Sequence, residues 1–196
     1  MSQRLSTFLL LSLFSVYASL ADAQILPFEL TGSGDAAFIP LTPGESAFHD
    51  ADGTATFLGN YHAEGMVRLD EFTSQTTGNF SSAVPIVFTG ENGDELHMDY
   101  AGSVELTPVG VGEFFSTWIA EFTPVVGSST GQFANVIDGS ILVTAITDPF
   151  TLADPTNVPY SWSGPPGWLK FIPEPSSAIL LTFACLGFAG CTRHRR

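Results

Sequence analysis

The chain has 196 residues, six Lys and Arg against twenty Asp and Glu, and a formal net charge of −14. That balance excludes a nucleic-acid binder, whose affinity comes from cations set against phosphate. Both cysteines, Cys185 and Cys191, lie near the C-terminus, so the bulk of the chain must fold without a disulfide.

The N-terminus reads as an export signal. Arg4 supplies a positive n-region, and an apolar stretch from Phe8 to Leu20 follows. Ala21-Asp22-Ala23 is a small-x-small cleavage site, so residues 1–23 are expected to be a signal peptide handled by the Sec translocon, with Gln24 first in the mature chain. Ser12, Ser15 and Ser19 interrupt the apolar run, which falls short of the ~20 apolar residues of a membrane span.

Residues 24–164 read as one all-β domain. Strands are expected at Phe28–Ser33, Thr54–Leu58, Tyr61–Asp70, Ser82–Thr89, Glu95–Leu106, Glu113–Phe122, Gly139–Thr147 and Pro159–Ser163. The alternation is clearest in two of them. Leu96, Met98, Tyr100, Val104 and Leu106 share one face, and Tyr61, Ala63, Val67 and Leu69 share another. Glu91-Asn92-Gly93-Asp94 predicts a type I′ hairpin. Its first strand carries Val84, Ile86 and Phe88 on one face, and Pro85 restricts its pairing. In Glu113–Phe122 both faces are bulky, which predicts cover on both sides. About eight antiparallel strands must close or pair their edges, giving a single barrel or, as the alternative, a β-sandwich.

Several turn and packing motifs recur in order: Gly53-Thr-Ala-Thr-Phe-Leu-Gly-Asn-Tyr61, Asn92-Gly-Asp-Glu-Leu96, and Gly127-Ser-Ser-Thr-Gly-Gln-Phe-Ala134. Together they resemble a bacterial family of small barrels similar to allene oxide cyclase. That resemblance implies an eight-stranded, calycin-like cup. Phe57 stands where the family often has His and Gln132 where it has Arg, which puts a polar site at those positions in doubt.

Candidate chemistry is sparse. His49-Asp50-Ala51-Asp52-Gly53 is the densest group of ligand-type residues. Asp50 and Asp52 before a glycine look like the start of a Ca²⁺ loop, although no Glu completes an EF-hand, and the plainer reading is an Asp-Gly turn entering a strand. His62 with Glu64, and His97 with Asp99, could join His49 in a transition-metal site if their strands converged, but each pair sits on the more polar face of its strand. No nucleophile motif occurs, so no catalytic residue is assigned and the protein is read as a non-enzyme. Trp118, Trp162, Trp168 and Tyr160 either fill the core or line a cup for a small apolar ligand.

Residues 165–172 read as a Pro/Gly-rich spacer. Beyond it stand Pro173-Glu174-Pro175, an apolar run from Ala178 to Cys191, and the stop-transfer cluster Arg193, Arg195 and Arg196. With both ends set aside, Arg68 and Lys170 face eighteen acidic residues, a body charge of −16. The tripartite tail, residues 173–196, resembles the PEP-CTERM sorting signal of Gram-negative bacteria. It implies a transient transmembrane helix in the inner membrane, an exosortase-type transpeptidase as partner, and delivery to the cell surface or extracellular matrix. The expected function is a non-catalytic envelope barrel holding a small apolar ligand or meeting extracellular polysaccharide. The alternatives are a barrel isomerase or cyclase and a weakly Ca²⁺-linked adhesion module.

Overall fold

The computed structural model describes residues 23–172. The N-terminal segment with Ala21, and the tail with Pro173, Glu174, Pro175, Arg193, Arg195 and Arg196, lie outside the described residues; Ala23 is the first residue inside them.

Eleven strands occur in chain order: β1 (Gln24–Phe28), β2 (Leu30–Phe38), β3 (Ser46–Ala55), β4 (Gly59–Phe72), β5 (Thr77–Gly90), β6 (Glu95–Gly110), β7 (Glu113–Pro124), β8 (Val136–Thr147), β9 (Phe150–Thr151), β10 (Thr156–Ser163) and β11 (Gly167–Phe171). Among the described residues the only helix is a single 3₁₀ turn, Gly131–Phe133. Strands β2 to β8 pair antiparallel in sequence order. β8 then pairs with β10, and β10 returns to β2, closing an eight-stranded up-and-down barrel. The sandwich alternative is thereby set aside. Closure leaves no free edge within the barrel, so an acidic chain with many β-branched residues needs no other edge protection.

Period-two alternation drives the burial. On β4, Tyr61, Ala63, Gly65, Val67 and Leu69 face inward, and on β6, Leu96, Met98, Tyr100, Val104 and Leu106 are buried. Both faces agree with the sequence pattern.

Four local expectations change. Asn92 keeps a negative φ and only Gly93 (φ 82°) is left-handed, so the β5–β6 connection is not type I′; the Asn92 side chain instead accepts from Asp94 N at 3.0 Å. Around Pro85 the β5–β6 register jumps from Ser81 to Ile86, and this bulge turns Val84 outward to 53% exposure. The outer face of β7 is only partly covered, since Ile119 is 43% exposed: the barrel wall is one sheet thick, and among the described residues none covers it there. The Pro/Gly-rich spacer contains β11, which pairs with β8 from Trp168 to Phe171 and buries Leu169 completely, so the folded body runs to Phe171.

One end of the barrel, here the lower, is closed. Phe28, Leu30, Leu96, Phe133, Ile141 and Leu169 are fully buried there. The Gly127–Ala134 segment is tied across this end by backbone and side-chain bonds: Thr130 N to Glu95 O (2.9 Å), Glu95 N to Thr130 Oγ1 (3.1 Å) and His97 N to Ser129 Oγ (3.0 Å). Gly131 is left-handed (φ 57°) and packs directly on the Asp94 carboxylate, where a Cβ would collide. The segment carries Phe133 as a plug.

Candidate functional site: a cup with one buried histidine

The upper half of the barrel is not filled. Ala36 on β2, Ala120 on β7 and Ala145 on β8 put methyl groups where larger side chains would meet across the axis. Phe80 also lines the space, and Trp118 and Trp162 flank Ala145 on the two strands paired with β8. An eight-stranded barrel is just wide enough for its inward side chains to fill it, so three alanines leave space. The result is a cavity of about 80 Å³, reaching to Ile39 and Pro40 in the loop after β2. That is roughly half of the ~150 Å³ that holds a benzene ring in an apolar protein interior, so the space suits a slender ligand.

His49 lies on this cavity. Neither the turn expected at His49–Gly53 nor the separate strand expected at Thr54–Leu58 exists; β3 runs straight through to Ala55, and Thr56–Leu58 is the turn. The inward positions of β3 are Ala47, His49, Ala51, Gly53 and Ala55. An imidazole therefore stands in a row of small residues. Directly across the ladder is Gly65 of β4, where a Cβ would sit 3.0 Å from His49 Nε2, so the glycine leaves room for the ring.

Both ring nitrogens are engaged. Nε2 is 2.7 Å from Tyr100 Oη, and Nδ1 is 3.2 Å from Tyr160 Oη. The Tyr160 hydroxyl also lies 3.0 Å from the carbonyl of Asp50. A carbonyl can only accept, so Tyr160 donates to Asp50 O. Tyr160 then accepts from His49 Nδ1–H, which leaves Nε2 bare to accept from Tyr100 O–H. The three side chains form a one-way relay ending on backbone.

Burial away from water lowers the His49 pKa from 6.5 to about 4, so the ring is neutral at neutral pH. Burial likewise pushes the Tyr100 and Tyr160 hydroxyls far up, with the Asp50 charge adding to the effect at Tyr160. A second pair sits lower: Trp162 Nε1 donates to Tyr61 Oη at 2.9 Å, and Tyr61 donates to Thr31 O at 3.0 Å. Burial chiefly raises Tyr61 to about 12. Trp118 Nε1 donates to Ser116 Oγ at 2.7 Å. Among the described residues no buried side-chain N or O lacks a partner.

The other sequence candidates lie elsewhere. Asp50 and Asp52 point outward from β3 as part of an extended strand, which cannot wrap a cation as a loop does. Asp52 is instead bonded by His62 Nδ1 at 2.9 Å, with Glu64 Oε1 3.6 Å from His62 Nε2. These partners raise the His62 pKa, the Asp52 hydrogen bond most of all. His97 meets Glu95 at 3.1 Å rather than Asp99, which accepts from Ser82. The three histidines do not converge. Among the described residues no group of three or more His, Cys, Asp or Glu is arranged to hold a metal ion. Trp118, Trp162 and Tyr160 line the cup; Trp168, on β11, does not. Phe57 (φ 69°) and Gln132, the two departures from the resembled pattern, touch one another: Gln132 Nε2 donates to Phe57 O at 2.6 Å. Those positions therefore bind the lower plug together and are far in function from the cup.

Sequence reading placed Tyr100 and Tyr160 inward but missed His49 as their partner. The signal was present: counting back by twos from Ala55 through Gly53, Ala51 and His49 to Ala47 gives one small-residue face.

No model of a known protein family matches the chain, and no curated protein or solved structure matches it either.

Proposed function

We propose that the barrel is a non-catalytic binding module of an exported envelope protein, and that the upper cup holds a small, slender apolar ligand. The observation that carries this reading is the cavity of about 80 Å³, walled by alanine, valine and aromatic side chains and reached by no Lys, Arg, Asp or Glu. Association with such a wall draws on apolar burial, about 25 cal/mol per Å². The export part of the proposal rests on the sequence of the two ends: the Ala21-x-Ala23 site, and the Pro173-Glu174-Pro175 step followed by an apolar run and three arginines, with an exosortase-type enzyme cutting near that step.

One observation favours a second reading, an isomerase or cyclase: a histidine does border the cavity. Against it, the ring is held neutral, its bare nitrogen already accepts from Tyr100, and no carboxylate stands behind it to stabilise an imidazolium. Native mass spectrometry of the protein secreted by its own host tests the proposal. A mature chain starting at Gln24 and ending near Pro173–Pro175, carrying a releasable small apolar molecule, is expected. An intact Arg193–Arg196 terminus on envelope-retained protein overturns the sorting claim. Ligand-free protein that also takes up no short-chain probe overturns the binding claim.

A further inference from the structure

The lower plug and the β5–β6 turn share one side chain. Asp94 closes the turn that begins at Glu91. Its Oδ2 accepts from Asn92 Nδ2 at 2.9 Å and from the backbone N of Gln132 at 3.3 Å, and Gly131 packs on the same carboxylate. Gln132 also ties the segment to Phe57 O, and the next residue is the buried Phe133. One carboxylate therefore holds an exposed asparagine on one side and the plug on the other. We propose that Asn92 is a self-modifying residue gated by the plug: the seated plug protects its side-chain amide, and conversion of that amide to a carboxylate loosens the plug in return. The inference is independent of the cup and of any ligand in it.

Asn92-Gly93 is the one Asn-Gly step in the sequence; Asn60, Asn79, Asn135 and Asn157 are followed by Tyr, Phe, Val and Val. Glycine has no Cβ to keep its backbone nitrogen off the preceding side chain. In the reaction the Gly93 nitrogen, its proton taken by hydroxide, attacks Asn92 Cγ. The new N–C bond forms, the Cγ–Nδ2 bond breaks, and ammonia leaves. Water then opens the five-membered imide at either carbonyl, giving aspartate or isoaspartate. The sum is amide plus water to carboxylate plus ammonium, with nothing oxidised or reduced. In the seated state three bonds oppose the attack. Gly93 N donates to Gly90 O at 2.9 Å, Asn92 Oδ1 accepts from Asp94 N at 3.0 Å, and Nδ2 is held by Asp94. The reaction therefore proceeds from the frayed turn, and the turn frays more often when Gly131 and Gln132 do not brace Asp94. After conversion the donor that faced Asp94 is an anion facing an anion, beside Glu91 and Glu95 in the chain. Because turn and plug act on the same carboxylate, the coupling runs both ways.

The test incubates the purified protein at pH 8 and 37 °C, folded and unfolded in guanidinium chloride, and follows residue 92 by peptide mass mapping with isoaspartate detection. Conversion in the folded protein is expected to be slower than in the unfolded chain by about tenfold or more. Gln132→Ala, which removes the tie to Phe57, and Gly131→Ala, which sets a methyl group against Asp94, should each raise the folded rate several-fold. Should Gly131→Ala fail to fold, the exposed Gln132 still decides the matter. Asn92→Asp should lower the urea midpoint, and adding Asp94→Asn should recover most of the loss, because an amide again faces a carboxylate. Equal rates in the folded and unfolded protein, or a folded rate indifferent to Gln132→Ala, overturn the gating. A urea midpoint unchanged in Asn92→Asp, or a loss that Asp94→Asn leaves in place, overturns the return effect on the plug.

Discussion

The two ends of this barrel solve the same packing problem in opposite ways. The lower end is filled with large side chains, fixed from below by the Gly127–Ala134 segment and β11, and Phe133 and Leu169 have no exposed surface. The upper end carries alanines at three wall positions and leaves Trp118 only half-buried. The strands are the same strands; β8 serves both ends, paired with β11 below and with β10 above. An open cup is tolerable because its buried polar side chains all have hydrogen-bond partners, in one another and in the backbone.

The largest expected effect comes from breaking the plug. Phe133→Ala should cost about 3–5 kcal/mol, because an aromatic ring is removed from a site held too firmly to collapse. Urea denaturation would show it as a lower midpoint, and a loss under 1 kcal/mol would mean that the lower end is not the stable half.

Next is the acid response of the cup. His49 titrates near 4 when folded and near 6.5 when unfolded, so between those values the unfolded chain binds more protons. Stability is then fully present above pH 6.5 and falls as pH drops toward 4, by about 3 kcal/mol for this group. The groups facing it are Tyr100 of β6 and Tyr160 of β10, neither of which ionises in that window. Stability measured against pH should lose this component in His49→Phe, whatever the surface carboxylates contribute; parallel curves for the two proteins would refute the assignment.

Filling the cup sharpens the contrast from the other side. Ala120→Leu should abolish uptake of a small apolar probe while changing stability by no more than about 1–2 kcal/mol, since the new methyl groups enter existing space. Retained binding, followed by tryptophan fluorescence, would place the ligand elsewhere.

The smallest effect belongs to the surface. His62, between Asp52 and Glu64, is shifted opposite to His49, upward. Its stabilisation is present below pH 6.5 and lost as pH rises through its folded value; because the ring is half-exposed, the contribution is small. A ring-proton NMR titration should show His62 above 6.5 and His49 below it. Asp52→Asn should move the first and leave the second.

The sequence carried the fold well and the cup poorly, for one physical reason. Alternation reports which way a side chain points, and in β4 and β6 it did so residue by residue. It says nothing about what stands across the barrel axis, so Ala36, Ala120 and Ala145 looked like ordinary inward residues, and only the folded barrel shows that all three border one cavity. The misreading at His49–Gly53 has a different origin. Asp50, Asp52 and Gly53 are turn-forming types, but the two carboxylates simply occupy the solvent side of β3, while the glycine lies on its small inner row. Tertiary pairing with β2 and β4 overrode the local preference.

The seam of the barrel has a consequence for timing. Six strands from β3 to β8 can pair with a neighbour already made, but β2 stays half-paired until β10, Thr156–Ser163, arrives to join it to β8. The partners at that seam, such as Gly34 and Tyr160, are separated by most of the domain. Any route that delivers this chain from its N-terminus, through a ribosome tunnel or a membrane pore, therefore presents an unfinished meander with two raw edges for nearly the whole passage. Tyr160 lies on β10, the last strand to join the barrel, so the histidine it steadies acquires its final hydrogen bond only as the ring closes.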